Sequence, residues 1–288
     1  MINMMQFTFI NILLIFLASV QAINWRNVKP QYLERTAIGD TNPPSTGYII
    51  GGSEAAPHQF PYQAAIFLDG VGFCGGSLIN DYVVMFAAHC TSGWTSFEVH
   101  LGAHNLYNLT EPDRQIVISS TVLAHENWDL MTIDNDLALL FLPYPVTGTG
   151  IATIRMPSRS QINESFSGWI MRASGWGRTS DSSTELSPVL KYADVLVISN
   201  EQCTEYFGTE LMDDSKICIE TSGGTNGVCG GDSGGPLAFV ESDGIITQIG
   251  VISFGSALGC EVSAPYVLTR LTSYLDWLES NAGVTIRP

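Results

Sequence analysis

Short apolar segments separated by turn residues occupy the chain from residue 49 to the C-terminus. Ten of these segments are rich in Val, Ile, Leu, Phe and Tyr, and clusters of Gly, Pro, Asn, Asp and Ser lie between them. Many short strands bounded by turn signals are typical of a β-barrel or a β-sandwich. The pattern predicts strands at residues 62–68, 82–87, 96–101, 115–123, 138–142, 170–173, 191–198, 235–240, 245–254 and 266–269.

The C-terminal end alone has a helical period. Leu271, Tyr274, Leu275 and Leu278 recur at intervals of one, three and four residues, which predicts an amphipathic helix. Thr272 is the candidate cap. We expect this helix to pack against the domain and close it.

The N-terminal residues differ from the rest of the chain. Residues 1–22 form an apolar stretch of signal-peptide length that ends in Val20-Gln21-Ala22, which predicts cleavage after Ala22. This stretch contains no Lys or Arg, so an uncleaved anchor stays open as an alternative. Residues 23–48 contain no cysteine and end in a Pro- and Gly-bearing stretch, which predicts an exposed linker accessible to proteases. The chain is therefore expected to be secreted, with one compact domain after the linker.

Composition and charge narrow the classes of partner. The 288 residues include 28 acidic and 12 basic side chains, a formal net charge of −16. Such a charge argues against nucleic acid or an anionic membrane as a partner. Beyond the N-terminal stretch, no segment is long and apolar enough to span a bilayer.

Six cysteines in an exported chain favour disulfide bonds. A zinc site would require closely spaced pairs, whereas these cysteines are widely and irregularly spaced; we therefore expect no metal. Fifteen pairings are formally open. The cysteines are Cys74, Cys90, Cys203, Cys218, Cys229 and Cys260.

The segment Gly231-Asp232-Ser233-Gly234-Gly235-Pro236 carries the candidate nucleophile. Glycine allows backbone angles forbidden to other residues, so the amides of Gly231 and Ser233 can point at one spot beside the Ser233 hydroxyl. Such a spot is an oxyanion hole. The alternative is an ordinary glycine-rich turn between two strands.

A serine needs a base to take its proton, and the chain offers a histidine and a carboxylate in supporting contexts. His89 lies at the end of an apolar strand in Phe86-Ala87-Ala88-His89-Cys90, and Asp136 precedes the apolar run at 137–140. Taken singly, each has a structural alternative: the histidine as a hydrogen-bonding residue at a strand end, and the aspartate as a turn residue.

Taken together, these segments resemble the chymotrypsin-like serine endopeptidases from residue 49 to the end. The resemblance implies an all-β fold of two six-stranded antiparallel Greek-key β-barrels with a C-terminal helix, and an active site between the barrels. It rests on the order His89, Asp136, Ser233 and on the start Ile49-Ile50-Gly51-Gly52. Further matching segments are Cys74-Gly75-Gly76-Ser77-Leu78, Leu101-Gly102-Ala103-His104-Asn105, Asp136-Leu137-Ala138-Leu139, Gly175-Trp176-Gly177, Cys218-Ile219, Ser253-Phe254-Gly255 and Tyr274-Leu275-Asp276-Trp277.

The resemblance also implies roles. Ser233 would attack the scissile carbonyl, His89 would carry its proton to the leaving amine, and Asp136 would orient the imidazole. No cofactor is implied. The implied partners are protein and peptide substrates and protein protease inhibitors, and the enzyme is expected to be a monomer. The implied disulfide pairs are Cys74–Cys90, Cys203–Cys218 and Cys229–Cys260.

Members of this family are made as zymogens, which makes residues 23–48 an activation propeptide and residues 49–288 the peptidase domain. The freed amino group of Ile49 would pair with Asp232 and set the oxyanion hole. Family zymogens are commonly cut after Arg or Lys, whereas Tyr48 stands at this position. A chymotrypsin-like protease, including this protein itself, is therefore the expected activator.

Four residues are expected to shape the specificity pocket. The floor is Gly227, and without an acid there a buried Lys or Arg side chain would be uncompensated; the resemblance therefore implies cleavage after apolar or aromatic residues. Ser253 and Gly255 are expected in the walls. Tyr266 stands where the family usually has glycine. If its ring fills the pocket, small side chains are preferred, as in elastases or broad collagenolytic enzymes.

The segment at 218–224 looks most like the arthropod brachyurins, although crab-type brachyurins have an Asp at the site of Tyr266. A digestive setting is the favoured interpretation. The alternative from another class is a catalytically silent protease homologue that acts as a binding module, and it would require a missing catalytic residue. Asn108 and Asn163 fit the N-glycosylation pattern.

Overall fold

Two curved antiparallel β-sheets make up residues 50–288, the part of the chain that this computed structural model describes. The predictions for the signal peptide, the propeptide, Tyr48 and Ile49 lie outside the described residues. In chain order the strands of the first half are β1 Ser53–Glu54, β2 Gln63–Leu68, β3 Gly72–Asn80, β4 Val83–Phe86, β5 Phe97–Leu101, β6 Gln115–Ser119, β7 Thr121–Ala124 and β8 Ala138–Phe141.

The second half contains the remaining strands and the two α-helices found within residues 50–288. They are β9 Ile170–Gly175, β10 Lys191–Ile198, α1 Asn200–Phe207, β11 Lys216–Ile219, β12 Pro236–Val240, β13 Ile246–Phe254, β14 Tyr266–Arg270 and α2 Leu275–Ala282. Among the described residues, no helix is long and apolar enough to cross a membrane.

The sheet of the second half closes into a barrel. Its order is β9-β10-β11-β14-β13-β12, and β12 pairs with β9 to complete the circle. The short strand β1 adds to the outside through Ser53 and Glu54, which pair with β10. The first half has the order β6-β5-β2-β3-β4-β8-β7, and only Ser120 separates its two edge strands along the chain. The prediction of an all-β chymotrypsin-like fold with a C-terminal helix is confirmed, with one difference: the second sheet is a closed six-stranded barrel, whereas the first is a seven-stranded half-barrel, called the first barrel below.

Three strands were not predicted from the sequence pattern: the two-residue strand β1, β3 and β11. Strand β3 begins with Gly72 and contains Gly75 and Gly76, and glycines weaken a strand signal. A Cβ atom on Gly75 would lie 3.1 Å from the Cα atom of Gly235, so the glycine permits close approach of backbone from the other barrel. Strand β11 is only four residues long.

Apart from strand ends that differ by one or two residues, three further features differ from the predictions. The single strand expected at 115–123 is interrupted at Ser120. Thr272 is not a cap; it lies in a 3-10 turn at Leu271–Ser273, and the residue preceding the first turn of α2 is Tyr274. Helix α1 was not predicted, although Ser199 caps it by accepting a hydrogen bond from the Gln202 amide at 3.3 Å.

The two barrels meet through both apolar and polar contacts. The core of the first barrel continues across the interface to Trp176 and Val251, both fully buried. Two buried polar pairs cross the same interface: the Ser77 hydroxyl donates to Gln248 Oε1 at 2.7 Å, and the Ser174 hydroxyl donates to Gln63 Oε1 at 2.6 Å. The interface is therefore fixed in register as well as packed, and the candidate site lies along it.

Candidate active site

His89 stands at the end of the first barrel's central strands. Strand β4 ends at Phe86, and a 3-10 turn at Ala88–Thr91 follows directly. Ala87 and Ala88 are fully buried, and Cys90 forms a disulfide bond with Cys74 in β3. The backbone around His89 is thus held from both sides, whereas 28% of its side chain is exposed.

Asp136 is buried beside His89, with 1% of its side chain exposed. Its Oδ2 atom accepts hydrogen bonds from His89 Nδ1 at 2.8 Å and from the Ser253 hydroxyl at 2.5 Å. Its Oδ1 atom accepts one from the His89 backbone amide at 2.8 Å. The Thr269 hydroxyl donates to the Asp136 carbonyl at 2.8 Å. Donors from the second barrel therefore hold an aspartate that belongs to the first.

The charges of this pair support one another. Burial opposes a charged His89, but the charge of Asp136 and its hydrogen bond outweigh burial and raise the pKa of His89 above its ordinary value. Burial likewise opposes the charge on Asp136, and the His89 imidazole together with the donors named above holds the pKa of Asp136 below its ordinary value. Asp136 is therefore a carboxylate at neutral pH.

Ser233 lies on a turn pressed against the first barrel. The Gly75 amide donates to the Ser233 carbonyl at 2.8 Å, and the sulfur of Cys90, the residue after His89, is 4.0 Å from that carbonyl oxygen. Gly234 has a φ of +82°, and a Cβ atom there would lie 2.5 Å from the Gly75 carbonyl oxygen. The side chain of Ser233 is half-buried. Within residues 50–288 no hydrogen bond joins its hydroxyl to His89; in substrate-free sites such bonds are often long.

Among the described residues, the amides on either side of Asp232 are free, whereas three other amides of this turn are hydrogen-bonded. The amides of Asp232, Gly234 and Gly235 donate to backbone carbonyls at 2.8–3.0 Å. In the described part of the chain, the amides of Gly231 and Ser233 donate to nothing. Gly231 has a φ of +100°, a conformation that glycine adopts readily. Two free amides, one of them that of Ser233 itself, beside the Ser233 hydroxyl are suited to binding a negatively charged oxygen.

Asp232, between them, points the other way, into the protein. It is fully buried, and its two oxygens accept hydrogen bonds from the amides of Gly177 and Cys229 at 2.8 and 2.9 Å. Burial raises its pKa to about 6 despite these two bonds. A Cβ atom on Gly175 or Gly177 would lie 2.2 Å from a carboxylate oxygen, which explains both glycines of the Gly-Trp-Gly segment.

Ile50, the first described residue, lies near this carboxylate. Its carbonyl accepts a hydrogen bond from the Gly227 amide at 2.8 Å, and its buried side chain packs against the Cys229–Cys260 disulfide. Asp232 forms no ion pair with any cationic side chain among residues 50–288.

The residues expected at the specificity pocket have the following close neighbours in the structure. The Thr221 methyl group is 3.5 Å from the Cβ position of Gly227, and its hydroxyl donates to the Ala264 carbonyl at 2.8 Å. The ring of Tyr266 lies against Gly255. A Cβ atom on Gly255 would be 2.4 Å from Tyr266 Cε2, so the ring occupies the space that a side chain at position 255 would need. Burial raises the pKa of Tyr266. Ser253, whose place in the pocket wall stays a prediction, donates its hydroxyl to Asp136.

The remaining predicted residues are placed as follows. The described cysteines form the three disulfide bonds that the resemblance implied, Cys74–Cys90, Cys203–Cys218 and Cys229–Cys260. Two groups bring His or Asp within reach of cysteine sulfurs, but those sulfurs are all in disulfides and offer no thiolate to a metal. Asn108 and Asn163 are both exposed.

Comparison with known proteins agrees with this geometry. The family described as Trypsin matches residues 49–278. The chain belongs to the trypsin family. As a trypsin-family protein it is a serine endopeptidase whose substrates are proteins, and the prediction of this enzyme class is confirmed.

Several arthropod members of the trypsin family are similar over most of their length. Brachyurin of Leptuca pugilator is 42% identical over 82% of this chain and 100% of its own. Chymotrypsin of Phaedon cochleariae is 37% identical over 81% of this chain and 82% of its own. A solved structure described as HL collagenase superposes with a TM-score of 0.73 at 36% identity and covers 82% of this chain and 100% of its own.

Proposed function

We propose that this trypsin-family endopeptidase hydrolyses peptide bonds through an acyl-enzyme in which Ser233, His89 and Asp136 are the catalytic residues. The Ser233 oxygen forms a bond to the scissile carbonyl carbon while its proton passes to His89 Nε2. The carbon–nitrogen bond then breaks, and His89 returns the proton to the leaving amine. Water repeats both steps and releases the acyl group. The observation that carries this proposal is the double hydrogen bond between Asp136 and His89.

The free amides of Gly231 and Ser233 are proposed to bind the oxyanion. Each donor in comparable sites contributes about 3–4 kcal/mol to the transition state. Since these amides have no partner in the described part of the chain, an oxyanion would satisfy them without breaking an existing bond.

A covalent probe tests the nucleophile. We expect a fluorophosphonate to label the activated wild-type protein and not the Ser233→Ala variant, and we expect that variant to lose about 10⁶-fold in kcat. Hydrolysis of casein is the second measurement. A correctly folded, activated wild-type protein that neither binds the probe nor cleaves casein would be the silent homologue instead.

Activation is proposed to follow cleavage between Tyr48 and Ile49 after export of the chain. The new amino group would pair with Asp232, whose buried carboxylate otherwise lacks a counter-ion. The position of Ile50 beside Gly227 supports this. Trypsin should fail to produce an Ile49 amino terminus from the purified full chain, whereas chymotrypsin should produce it and raise activity. Efficient activation by trypsin at this bond would contradict the proposal.

The pocket is proposed to accept apolar residues and to prefer small or medium side chains. No acidic residue stands at its floor, Gly227, and the Tyr266 ring occupies space beside Gly255 that an aromatic substrate side chain needs. We expect kcat/KM for Suc-Ala-Ala-Pro-Leu and Suc-Ala-Ala-Ala chromogenic substrates to exceed that for Suc-Ala-Ala-Pro-Phe. Tyr266→Gly should reverse the order. The chymotrypsin-like alternative predicts preference for Phe in the wild type.

The setting of the enzyme is part of the same proposal. A trypsin-family protease that is similar to arthropod proteins named brachyurin, collagenase and chymotrypsin suits digestion outside the cell, as a monomer subject to protein inhibitors. Asn108 and Asn163 are proposed carriers of glycans, because both are exposed. A mass decrease on treatment with an N-glycosidase checks this.

A further inference from the structure

Arg178 lies at the rim of the active site, and its side chain packs against Gly230, which has no side chain of its own. Gly230 immediately precedes the oxyanion residue Gly231. A Cβ atom on Gly230 would lie 2.8 Å from both Nε and Nη2 of Arg178, so the guanidinium occupies the space that any side chain at position 230 would fill. The Arg178 amide donates to the Gly230 carbonyl at 2.8 Å. Arg178 therefore presents a cation next to the oxyanion amides.

This cation has no counter-ion in the described part of the chain. Six other basic residues form ion pairs there: Arg114, Arg155, Arg159, Arg172, Lys216 and Arg287. Arg270 is buried and donates to backbone carbonyls. Arg178 is half-buried, and its guanidinium makes one long hydrogen bond, from Nη1 to the Ser183 carbonyl at 3.4 Å. The chain has a formal net charge of −16, so acidic side chains are far more numerous than basic ones, and an arginine without an acidic partner in the described residues is unusual.

The loop that carries Arg178 is tied to the pocket wall. The Asp181 carboxylate accepts hydrogen bonds from the amides of Cys260 and Glu261 at 2.7 and 3.0 Å. The Glu261 carboxylate accepts one in return from the Asp181 amide at 2.7 Å. Asp181, the acidic residue of this loop nearest to Arg178 along the chain, is therefore engaged with backbone amides. The same bonds hold the loop, and with it Arg178, in place before substrate binds.

We propose that Arg178 binds an acidic side chain of the substrate on the leaving-group side of the scissile bond. The acyl side of the substrate occupies the pocket between Gly227 and Gly255, which leaves the space over Gly230 to the residues that follow the cut. A guanidinium forms charge-assisted hydrogen bonds with a carboxylate. The inference rests on the proposed endopeptidase activity and adds a substrate class to it: apolar before the cut, Asp or Glu within three residues after it.

Matched peptides test this inference. Fluorescence-quenched substrates with one cleavable bond would carry Glu or Gln at each of the three positions after the cut. At one position we expect the Glu peptide to have kcat/KM about three- to fivefold higher than the Gln peptide at low salt, the upper range for an exposed ion pair, mainly through KM. The preference should weaken in 0.5 M NaCl, because salt screens exposed charges.

Three variants locate the effect. Arg178→Gln should abolish the preference for Glu and Arg178→Lys should keep part of it, with active-site concentrations titrated so that folding losses do not enter. Arg172→Gln is the matched control, because it removes one positive charge from a surface pair with Asp194, and the preference should persist. Equal rates for Glu and Gln at every position in the wild type, or a preference that survives in Arg178→Gln, would overturn the inference. Failure of all forms to cleave any peptide would instead refute the proposed function.

Discussion

At the scale of single residues, the proposed catalytic pair His89 and Asp136 is expected to control the pH dependence of activity. A protonated His89 cannot accept the Ser233 proton, so kcat/KM should fall as the pH decreases through the raised pKa of His89. Asp136→Asn removes the charge that raises this pKa. We expect kcat to fall about 10⁴-fold, as in comparable triads, and the acid limb of the residual activity to move to lower pH. An unchanged limb in the pH–rate profile would contradict the role given to Asp136.

Asp232 provides a second prediction at this scale, for the uncut chain. Burial raises its pKa from 3.8 to about 6, so the folded chain keeps a proton that the unfolded chain loses near pH 4. The free energy of unfolding should therefore decrease by about 3 kcal/mol as the pH rises through this window. In a Ser233→Ala background, which prevents self-cleavage, Asp232→Asn should remove that decrease. If the free energies of unfolding of Ser233→Ala and of the double variant change in parallel from pH 4 to 7, Asp232 is not the cause of the decrease.

At the scale of elements, the segment between β5 and β6 is organised by a buried arginine. Arg114 donates to the carbonyls of Asn105, Leu106 and Asn108 at 3.0–3.2 Å, and Glu111 beside it accepts from the Asn105 amide at 2.8 Å. A side chain thus holds this loop together from inside. Its guanidinium is buried, with 1% of the side chain exposed.

Removal of this arginine should be costly. Arg114→Ala leaves Glu111 and three carbonyls without their donor, and we expect a loss of about 3 kcal/mol in the free energy of unfolding. The control Arg159→Ala removes an exposed arginine paired with Asp276 and Glu279, and should change the free energy of unfolding much less, because exposed ion pairs contribute little to stability. The Tm of the wild-type protein should be the same in the presence and absence of EDTA. A large drop in Tm on adding EDTA would show that a metal, rather than Arg114, organises the segment.

Comparison of the predicted and observed strands shows which elements could be predicted from the sequence. Alternating and continuous apolar runs predicted β10 at residues 191–198 without error, because its packing is encoded locally. Strand β3 was not predicted because its glycines weaken the strand signal. Gly75 is required by the close contact with Gly235, which lies 160 positions away along the chain. The positions of His89, Asp136 and Ser233 were evident from short motifs. The bond from Ser253 to Asp136, the orientation of Tyr266 and the place of Arg178 depend on contacts between distant segments, which no local pattern records.

At the scale of the whole molecule, the site exists only while the two barrels touch. His89 and Asp136 come from the first barrel, whereas Ser233 and the hydroxyls that hold Asp136 come from the second. Gly75 lies where the backbones are closest: its amide donates to the Ser233 carbonyl at 2.8 Å, and an added Cβ would lie 3.1–3.2 Å from Gly235. The barrels can approach this closely because position 75 has no side chain.

Gly75→Ala should therefore separate activity from stability. The added methyl group must push the Ser233 turn away from His89, and a misplacement of about 1 Å can cost about 10²-fold in rate. The contacts at 3.1–3.2 Å require a shift of only a few tenths of an ångström and leave both barrel cores intact, so we expect kcat to fall about tenfold while Tm changes by only a few degrees. Gly148→Ala is the matched control, because its methyl group would meet only the end of the Gln115 side chain, and its kcat should equal that of the wild type. Equal kcat values for Gly75→Ala and Gly148→Ala would mean that the contact at Gly75 does not position the nucleophile.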